Sequence, residues 1–173
     1  MLKNTKNYAI WITGLPGSGK TTIGNHFYKK FRKFFGPTLF VNGDDLRNIF
    51  KIKKFDIKSR KRLALQYGKF IKFIYSQNIN IIFTCVAMFD EVRNYNKKNI
   101  RNYYEVFIDA SLSQIIKQKK KKLYFKKQKN MIGIDLAVEL PKKPDLAIKN
   151  NFKKSTKELS NIIFSKFLAK NEK

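Results

Sequence analysis

With 173 residues, 43% of them hydrophobic, the chain has apolar material for one globular core and is short for two, which excludes a disordered or multidomain protein. The formal charge of +26 is an excess of lysine spread from end to end, with arginine confined to Arg32, Arg47, Arg60, Arg62, Arg93 and Arg101. Recognition of nucleic acid favours the bidentate arginine fork, so that class is kept only as a lesser reading, and the charge is read first as A·T-rich codon bias that also attracts anionic nucleotides.

A single cysteine, Cys85, inside an apolar run, forbids an internal disulfide and reads as a small buried side chain. No apolar run approaches the ~20 residues of a membrane span, and the short stretch before Gly14 is too brief for a signal peptide, so no membrane partner and a cytoplasmic location are expected.

The first element is the apolar run Tyr8 to Ile12, which reads as a buried strand. It leads into Gly14-Leu15-Pro16-Gly17-Ser18-Gly19-Lys20-Thr21, which meets every fixed position of the G-x-x-x-x-G-K-[ST] phosphate-binding loop. Thr22 to Phe35 follows with Ile23, Phe27, Phe31 and Phe34 at helical spacing. Strand, loop and helix together are the context this motif requires. Its glycines let backbone N–H groups approach phosphate oxygens with no Cβ in the way, and the helix adds its positive end. Lys20 is placed to reach the β- and γ-phosphates, and the Thr21 hydroxyl to ligate the bridging Mg²⁺. His26, on the same helix, reads as an ordinary surface residue, since nothing nearby has metal-ligand spacing.

Gly36-Pro37 breaks the helix, and Thr38 to Val41 reads as a second strand ending at Asn42-Gly43-Asp44-Asp45. The carboxyl end of a strand is where α/β sheets place ligand-binding groups. Either aspartate can cap the helix carrying Leu46, Arg47, Ile49 and Phe50, and a cap at Asp45 leaves Asp44 for chemistry. Ile57 to Gln77 reads as a long helix ended by Asn78, and Ile79 to Val86, apolar on both faces, as a central parallel strand. Phe89 to Tyr103 has the alternation of a surface helix, and Tyr104 to Ile108 forms a fourth strand ending in Asp109. Ser111 is an N-cap for Leu112 to Lys119.

The lysine-dense run from Lys119 to Lys129 reads either as a solvated stretch or, by analogy with gated kinases, as a lid over about 119–131. Pro141 to Pro144 is a connector, Asp145 to Ile148 a fifth strand, and Ser155 to Ala169 the last helix. Alternating strands and helices predict an α/β fold of three layers, a P-loop kinase fold around a parallel sheet of about five strands, as a single domain over 1–173. The N-K-x-D guanine signature is absent, which argues against a GTPase switch.

Over nearly the whole chain these segments resemble the adenylylsulfate kinases. Ile10 to Thr22 is similar to that family's opening, Asn42-Gly43-Asp44-Asp45-Leu46-Arg47 to its D-G-D-x-x-R, and Phe55 with Ser59-Arg60 to its G-F-S-x-x-D-R. Tyr104 to Asp109 resembles its E-V-(Y/F)-(V/I)-D strand. Leu123-Tyr124 falls where G-L-Y opens the lid, and Gly133-Ile134 followed by Glu139 to Asp145 resembles T-G-I followed by Y-E-x-P-x-x-P-E.

The resemblance implies an ATP-dependent kinase with Mg²⁺, acting on the ribose 3′-hydroxyl of adenylylsulfate. It implies that Gly14, Leu15, Pro16, Gly17, Ser18, Gly19, Lys20, Thr21 and Thr22 bind ATP, and that Asp44 lies near the attacking hydroxyl and, with Thr21, in the metal sphere. Lys20 and Asp44 are the catalytic pair on this reading. Arg47 and Arg60 would hold the acceptor's anionic groups and Phe55 would stack on its base, with Val86, Ala87, Met88, Phe89, Leu123 and Tyr124 completing the acceptor site. Members of that family often form homodimers; no interface is legible in this sequence.

Departures from the family pattern gather on the acceptor side. D-R-x-x-N-x-R-R becomes Ser59-Arg60-Lys61-Arg62-Leu63-Ala64-Leu65-Gln66, and I-S-P-(Y/F)-R becomes Val86-Ala87-Met88-Phe89-Asp90. A serine that could carry phosphate covalently is Ala87, the first aspartate of D-G-D is Asn42, and the aromatic residue two before Gly133 is Met131. Relatives of this family act on cytidine diphosphoramidate, which has the same general shape of base, ribose and diphosphate-like tail. Two acceptors therefore stand: adenylylsulfate by default, and a cytidine nucleotide analogue as the alternative. Two further readings are a kinase of a non-nucleotide metabolite, disfavoured by Phe55 and Phe89, and a non-catalytic nucleotide- or nucleic-acid-binding protein.

Overall fold

A computed structural model describes residues 6–118 and 139–171. Five strands, β1 (Ala9–Gly14), β2 (Thr38–Asn42), β3 (Asn80–Cys85), β4 (Tyr103–Asp109) and β5 (Leu146–Lys149), form one sheet in the order β2-β3-β1-β4-β5, and every pairing is parallel. The helices between them are α1 (Lys20–Phe35), α2 (Gly43–Ile49), α3 (Ile57–Ser76), α4 (Asp90–Asn99), α5 (Leu112–Lys117) and α6 (Thr156–Asn171). Three layers follow from the period-two alternation of the strands. In β1, Ile10 and Ile12 pack with Ile23, Phe27 and Phe31 of α1 and Ile163 and Phe167 of α6. Ala9 and Trp11, on the opposite face, pack with Leu46, Ala64, Tyr67, Ile71 and Val92 from α2, α3 and α4. The expected three-layer α/β fold is present.

β3 lies between β2 and β1, and all six of its residues are buried, as its two-sided apolar run anticipates. Its first residue does more than pair. The Asn80 side chain accepts from Tyr8 N at 2.8 Å and donates to Phe35 O and Pro37 O at 3.0 and 3.1 Å, tying the start of β1 to the end of α1 and the start of β2. Asn78, with φ 59°, takes the left-handed turn that ends α3.

The expected surface helix over Phe89 to Tyr103 is shorter. It ends at Asn99, because Ile100 turns to extended backbone (φ −129°, ψ 109°) and buries its side chain, so that Tyr103 opens β4. The cap of α2 is neither aspartate: Asn42 accepts from Asp44 N at 3.3 Å, which places Asp44 and Asp45 in the first helical turn. The lid expected over about 119–131, with Leu123, Tyr124, Met131 and Gly133, lies outside the described residues.

The strand order sets the location of a site. The chain runs from β1 to one side of the sheet to form β2, then returns through β3 and crosses to the other side for β4. In such a sheet the crevice outside the carboxyl ends of the strands at this reversal is where ligands bind.

Candidate active site

Three loops leave the carboxyl edge of the sheet close to that reversal: residues 14–19 after β1, the start of α2 after β2, and residues 86–89 after β3. The first is built almost wholly of backbone. Gly19 is the N-cap of α1 with φ 87°, a conformation that favours glycine, and it supplies no side chain to the helix terminus. No acidic residue stands in the first turn of α1 either. The N–H groups at this 16-residue helix's start are therefore left without a side-chain cap and are suited to an anion. Gly14 has no room for a side chain: a Cβ there would lie 2.7 Å from Ile108 O and 2.8 Å from Ser18 Oγ. The loop is closed on itself by Ser18 N donating to Leu15 O at 3.0 Å.

Lys20 is buried in the first turn of α1, and its ammonium reaches back to Leu15 O at 3.4 Å across the mouth of the loop. Thr21 follows it half-buried, and Thr22 is exposed on the next step of the helix. Leu15, Pro16 and Gly17 form the half-buried rim. The nine residues expected to hold ATP are thus contiguous and wrapped around one helix terminus.

Asp44 is exposed at the start of α2, and with Asn42 as the cap its carboxylate is not consumed in capping. The helix is held close to the sheet by Tyr67, whose buried hydroxyl donates to Gly43 O at 2.8 Å. Burial raises the Tyr67 phenol to about 12, so it stays protonated as that donor. Burial likewise raises the Cys85 thiol to about 12; it is an inert packing residue beneath Gly43.

Arg47, Phe55 and Arg60 come together as the sequence suggests. The Arg47 guanidinium lies 4.6 Å from the Phe55 ring centroid and that of Arg60 5.2 Å from it. Backbone carbonyls fix both: Arg47 Nη1 donates to Lys54 O at 3.2 Å and Arg60 Nε to Phe55 O at 2.7 Å. Burial first, and the neighbouring Arg47 second, lower the pKa of Arg60 from its ordinary value, while Asp44 and Asp56 act in the opposite sense. Two cations held this close are poised for an anion that relieves their repulsion. Phe55 is 46% exposed, a large proportion for a ring that size, and the part of it not covered by the two guanidinium groups meets solvent.

The 86–89 loop differs in character. Val86 is half-buried, whereas Ala87, Met88 and Phe89 are buried, the last packed with Leu46, Ala64 and Tyr67. Lys61 Nζ stands 5.9 Å from the Phe89 ring centroid. Asp90 is engaged by Arg93 Nη2 within α4, and that arginine also donates to Glu139 O at 2.6 Å. Hydrogen bonding to Arg93 lowers the pKa of Asp90 below the usual carboxylate value. The Glu139 carboxylate in turn accepts from Asp90 N, and its other oxygen pairs with Lys61 at 3.6 Å. None of these partnerships was read from the sequence; apart from the i,i+3 pair Asp90–Arg93 on α4, each joins residues that only the fold brings together. Leu123 and Tyr124, the remaining residues expected at the acceptor, fall outside the described residues.

Among the described residues no group of three or more His, Cys, Asp or Glu forms a metal cluster. A hydroxyl at Thr21 and a carboxylate at Asp44 suit Mg²⁺, a hard cation that keeps most of its ligands as water and phosphate oxygens and takes few from protein. Among the described residues no helix is long and apolar enough to cross a membrane.

The family model for adenylylsulphate kinase matches residues 6–149. Across the length of the chain, cytidine diphosphoramidate kinase from Campylobacter jejuni is 36% identical over 163 residues, covering 92% of this chain and 95% of the relative. Adenylyl-sulfate kinase from Buchnera aphidicola subsp. Schizaphis graminum is 32% identical over 174 residues, covering 93% and 81% respectively. Among solved structures, Mycobacterium tuberculosis APS kinase in complex with AMPPNP and APS superposes with a TM-score of 0.82 at 23% identity, covering 94% of this chain and 98% of that one, which speaks to the fold. Shikimate kinase from Aquifex aeolicus shares the same P-loop architecture at a TM-score of 0.61 and 16% identity. By a family match over most of its length and by relatives above 30% identity that it spans almost end to end, this chain, a kinase, belongs to the adenylylsulphate kinase family.

Proposed function

We propose that the protein transfers the ATP γ-phosphate to the ribose 3′-hydroxyl of a nucleotide with a modified diphosphate tail, and that cytidine diphosphoramidate is its acceptor in preference to adenylylsulfate. The observation that carries the nucleotide reading is the grouping of Arg47 and Arg60 about the half-exposed Phe55, which sets two guanidinium groups suited to an anionic tail and one aromatic ring in the same place. Two things support the cytidine acceptor over the sulfate. One is the 36% identity to the Campylobacter jejuni enzyme over nearly its whole length. The other is the wall near residue 90, where the family's arginine is replaced by Asp90. A terminal P–NH₂ presents N–H donors where adenylylsulfate presents a sulfate, and the loss of an arginine at this position removes a donor that a sulfate could use and a P–NH₂ could not.

In this reading the loop amides of 14–19, the start of α1 and Lys20 hold the phosphate chain, and Arg47 and Arg60 align the acceptor so that its 3′-oxygen faces the γ-phosphorus. The oxygen–phosphorus bond forms as the β–γ bridge breaks, ADP leaves with the electron pair, and Asp44 takes the hydroxyl proton. Most of the acceleration comes from alignment and charge neutralisation. Mg²⁺, held by Thr21 and Asp44, would supply additional neutralisation of the phosphate oxygens. Ala87 has no hydroxyl, so no covalent route passes through that position.

The experiment is a coupled ADP-release assay with MgATP and, in separate reactions, cytidine diphosphoramidate, adenylylsulfate and gluconate. Turnover with the cytidine compound is expected. Turnover with adenylylsulfate alone would restore the sulfate-activating reaction, and turnover with gluconate alone would remove the nucleotide reading of Phe55.

A further inference from the structure

Asn150 lies immediately beyond β5, 132 residues from the phosphate-binding loop in sequence and in direct contact with it in space. It is 3% exposed, and its backbone N–H and both ends of its side-chain amide have partners. Its backbone N–H donates to Asp109 O at 2.7 Å, joining the ends of β5 and β4. Its Oδ1 accepts from Phe152 N at 3.0 Å, which fixes the orientation of the amide. That leaves Nδ2 to donate to Ser18 O at 2.9 Å. The same nitrogen would stand 3.4 Å from a Cβ on Gly19, so the amide packs flush against the loop at its left-handed residue.

We infer that Asn150 is a positioning residue of the nucleotide site, holding the Ser18–Gly19 peptide in the orientation that presents the Gly19 N–H to phosphate. The peptide is trans, as all those described are, so its C=O and N–H project to opposite sides. An amide that grips Ser18 O on the β5 side therefore turns the Gly19 N–H away from β5 and into the loop. Gly19, with no Cβ and φ 87°, has freedom to rotate that plane; the grip on the preceding carbonyl removes it before ligand arrives. The pre-organised loop then loses less conformational freedom on binding. Asparagine is suited to the task because it must donate to one backbone group and accept from another at once. Aspartate has the same shape but accepts only, and would set a carboxylate oxygen against Ser18 O.

The inference rests on residues 14–21 being the phosphate site, and the test separates the two. The probe is inorganic tripolyphosphate with Mg²⁺, titrated by calorimetry into the wild-type chain, Asn150→Ala and Asn150→Asp, with urea melts to compare folding. The wild type is expected to bind, and the alanine variant to bind about tenfold more weakly, in line with one lost buried hydrogen bond. The isosteric aspartate variant should lose more, since it adds an unpaired buried oxygen and a negative charge beside the phosphates. Variants that are less stable to urea but bind tripolyphosphate within twofold of the wild type would confine Asn150 to closing the turn after β5 and overturn the inference. Absence of binding by the wild type itself would overturn the phosphate reading of the loop, and the inference with it.

Discussion

The two halves of the candidate site are built from different materials. The donor half consists of backbone: a glycine-rich loop, an uncapped helix terminus and one lysine, with Asn150 gripping the loop from behind. The acceptor half, on the proposed reading, consists of side chains: the cluster of Arg47, Phe55 and Arg60, and the buried Ala87, Met88 and Phe89 beside the network of Asp90, Arg93, Glu139 and Lys61. A backbone cradle binds phosphate whatever the neighbouring side chains are, so it changes little as a family diverges. A side-chain pocket can be rewritten one residue at a time without disturbing the sheet. That contrast explains how the chain keeps every fixed position of the phosphate loop while its acceptor wall departs from the family pattern.

The sharpest way to break the comparison is at the donor half. Lys20→Ala removes the one side-chain charge the loop relies on and should lower kcat by about 10²–10³-fold, with an unchanged circular dichroism spectrum. Retention of wild-type turnover would detach the loop from catalysis.

Arg60→Ala addresses the opposite half. It should raise the acceptor KM by roughly tenfold to a hundredfold, the range for one lost charge-assisted contact, while the KM for MgATP stays within twofold. An effect confined to MgATP would move Arg60 across the cleft.

Beneath both halves, the smallest effect is expected at Glu105 on β4. Its carboxylate is fully buried, 3.8 Å from Arg93 Nε and 3.6 Å from Lys97 Nζ. Burial raises its pKa above the ordinary 4.5, and Arg93 and Lys97 only partly offset this. A folded-state value above the unfolded one means that the proton is held more tightly in the native protein. The stability this contributes is full below the unfolded value and is lost as pH rises through the folded one. Thermal melts of Glu105→Gln should therefore gain on the wild type as pH increases from about 4 toward neutrality. The acceptor KM should move only about twofold, through Arg93, and the KM for MgATP not at all. A wild-type advantage that grows with pH would reverse the assigned shift.

Much of this was legible in the sequence where it depends on neighbours along the chain. The loop from Gly14 to Thr21 announces itself by spacing, and the strands by runs such as Ile81 to Phe83. Arg47, Phe55 and Arg60 emerged through resemblance, and the fold brings them together. Asn150 gave no signal, because an asparagine after a strand is an ordinary turn residue and its partner is 132 positions away. The cap of α2 was placed too late, at Asp44 or Asp45: aspartate and asparagine cap equally well, and only the backbone reveals that Asn42 occupies the extended position, with φ −108°. The helix ending at Asn99 was overextended because Ile100 and Tyr103 continue an amphipathic rhythm that in fact belongs to the core and to β4.

The most direct test of a preserved donor half behind a rewritten acceptor half is internal competition. Cytidine diphosphoramidate and adenylylsulfate are mixed at equal concentration with limiting MgATP, and the two phosphorylated products are quantified by mass spectrometry, so that their ratio gives the ratio of kcat/KM. The account predicts at least about a tenfold excess of the cytidine product, the discrimination expected when a site's polar partners match one acceptor and not the other. An equal ratio, or an excess of the adenylyl product, would contradict it, leaving Leu63, Ala87 and Asp90 as changes without consequence for the acceptor.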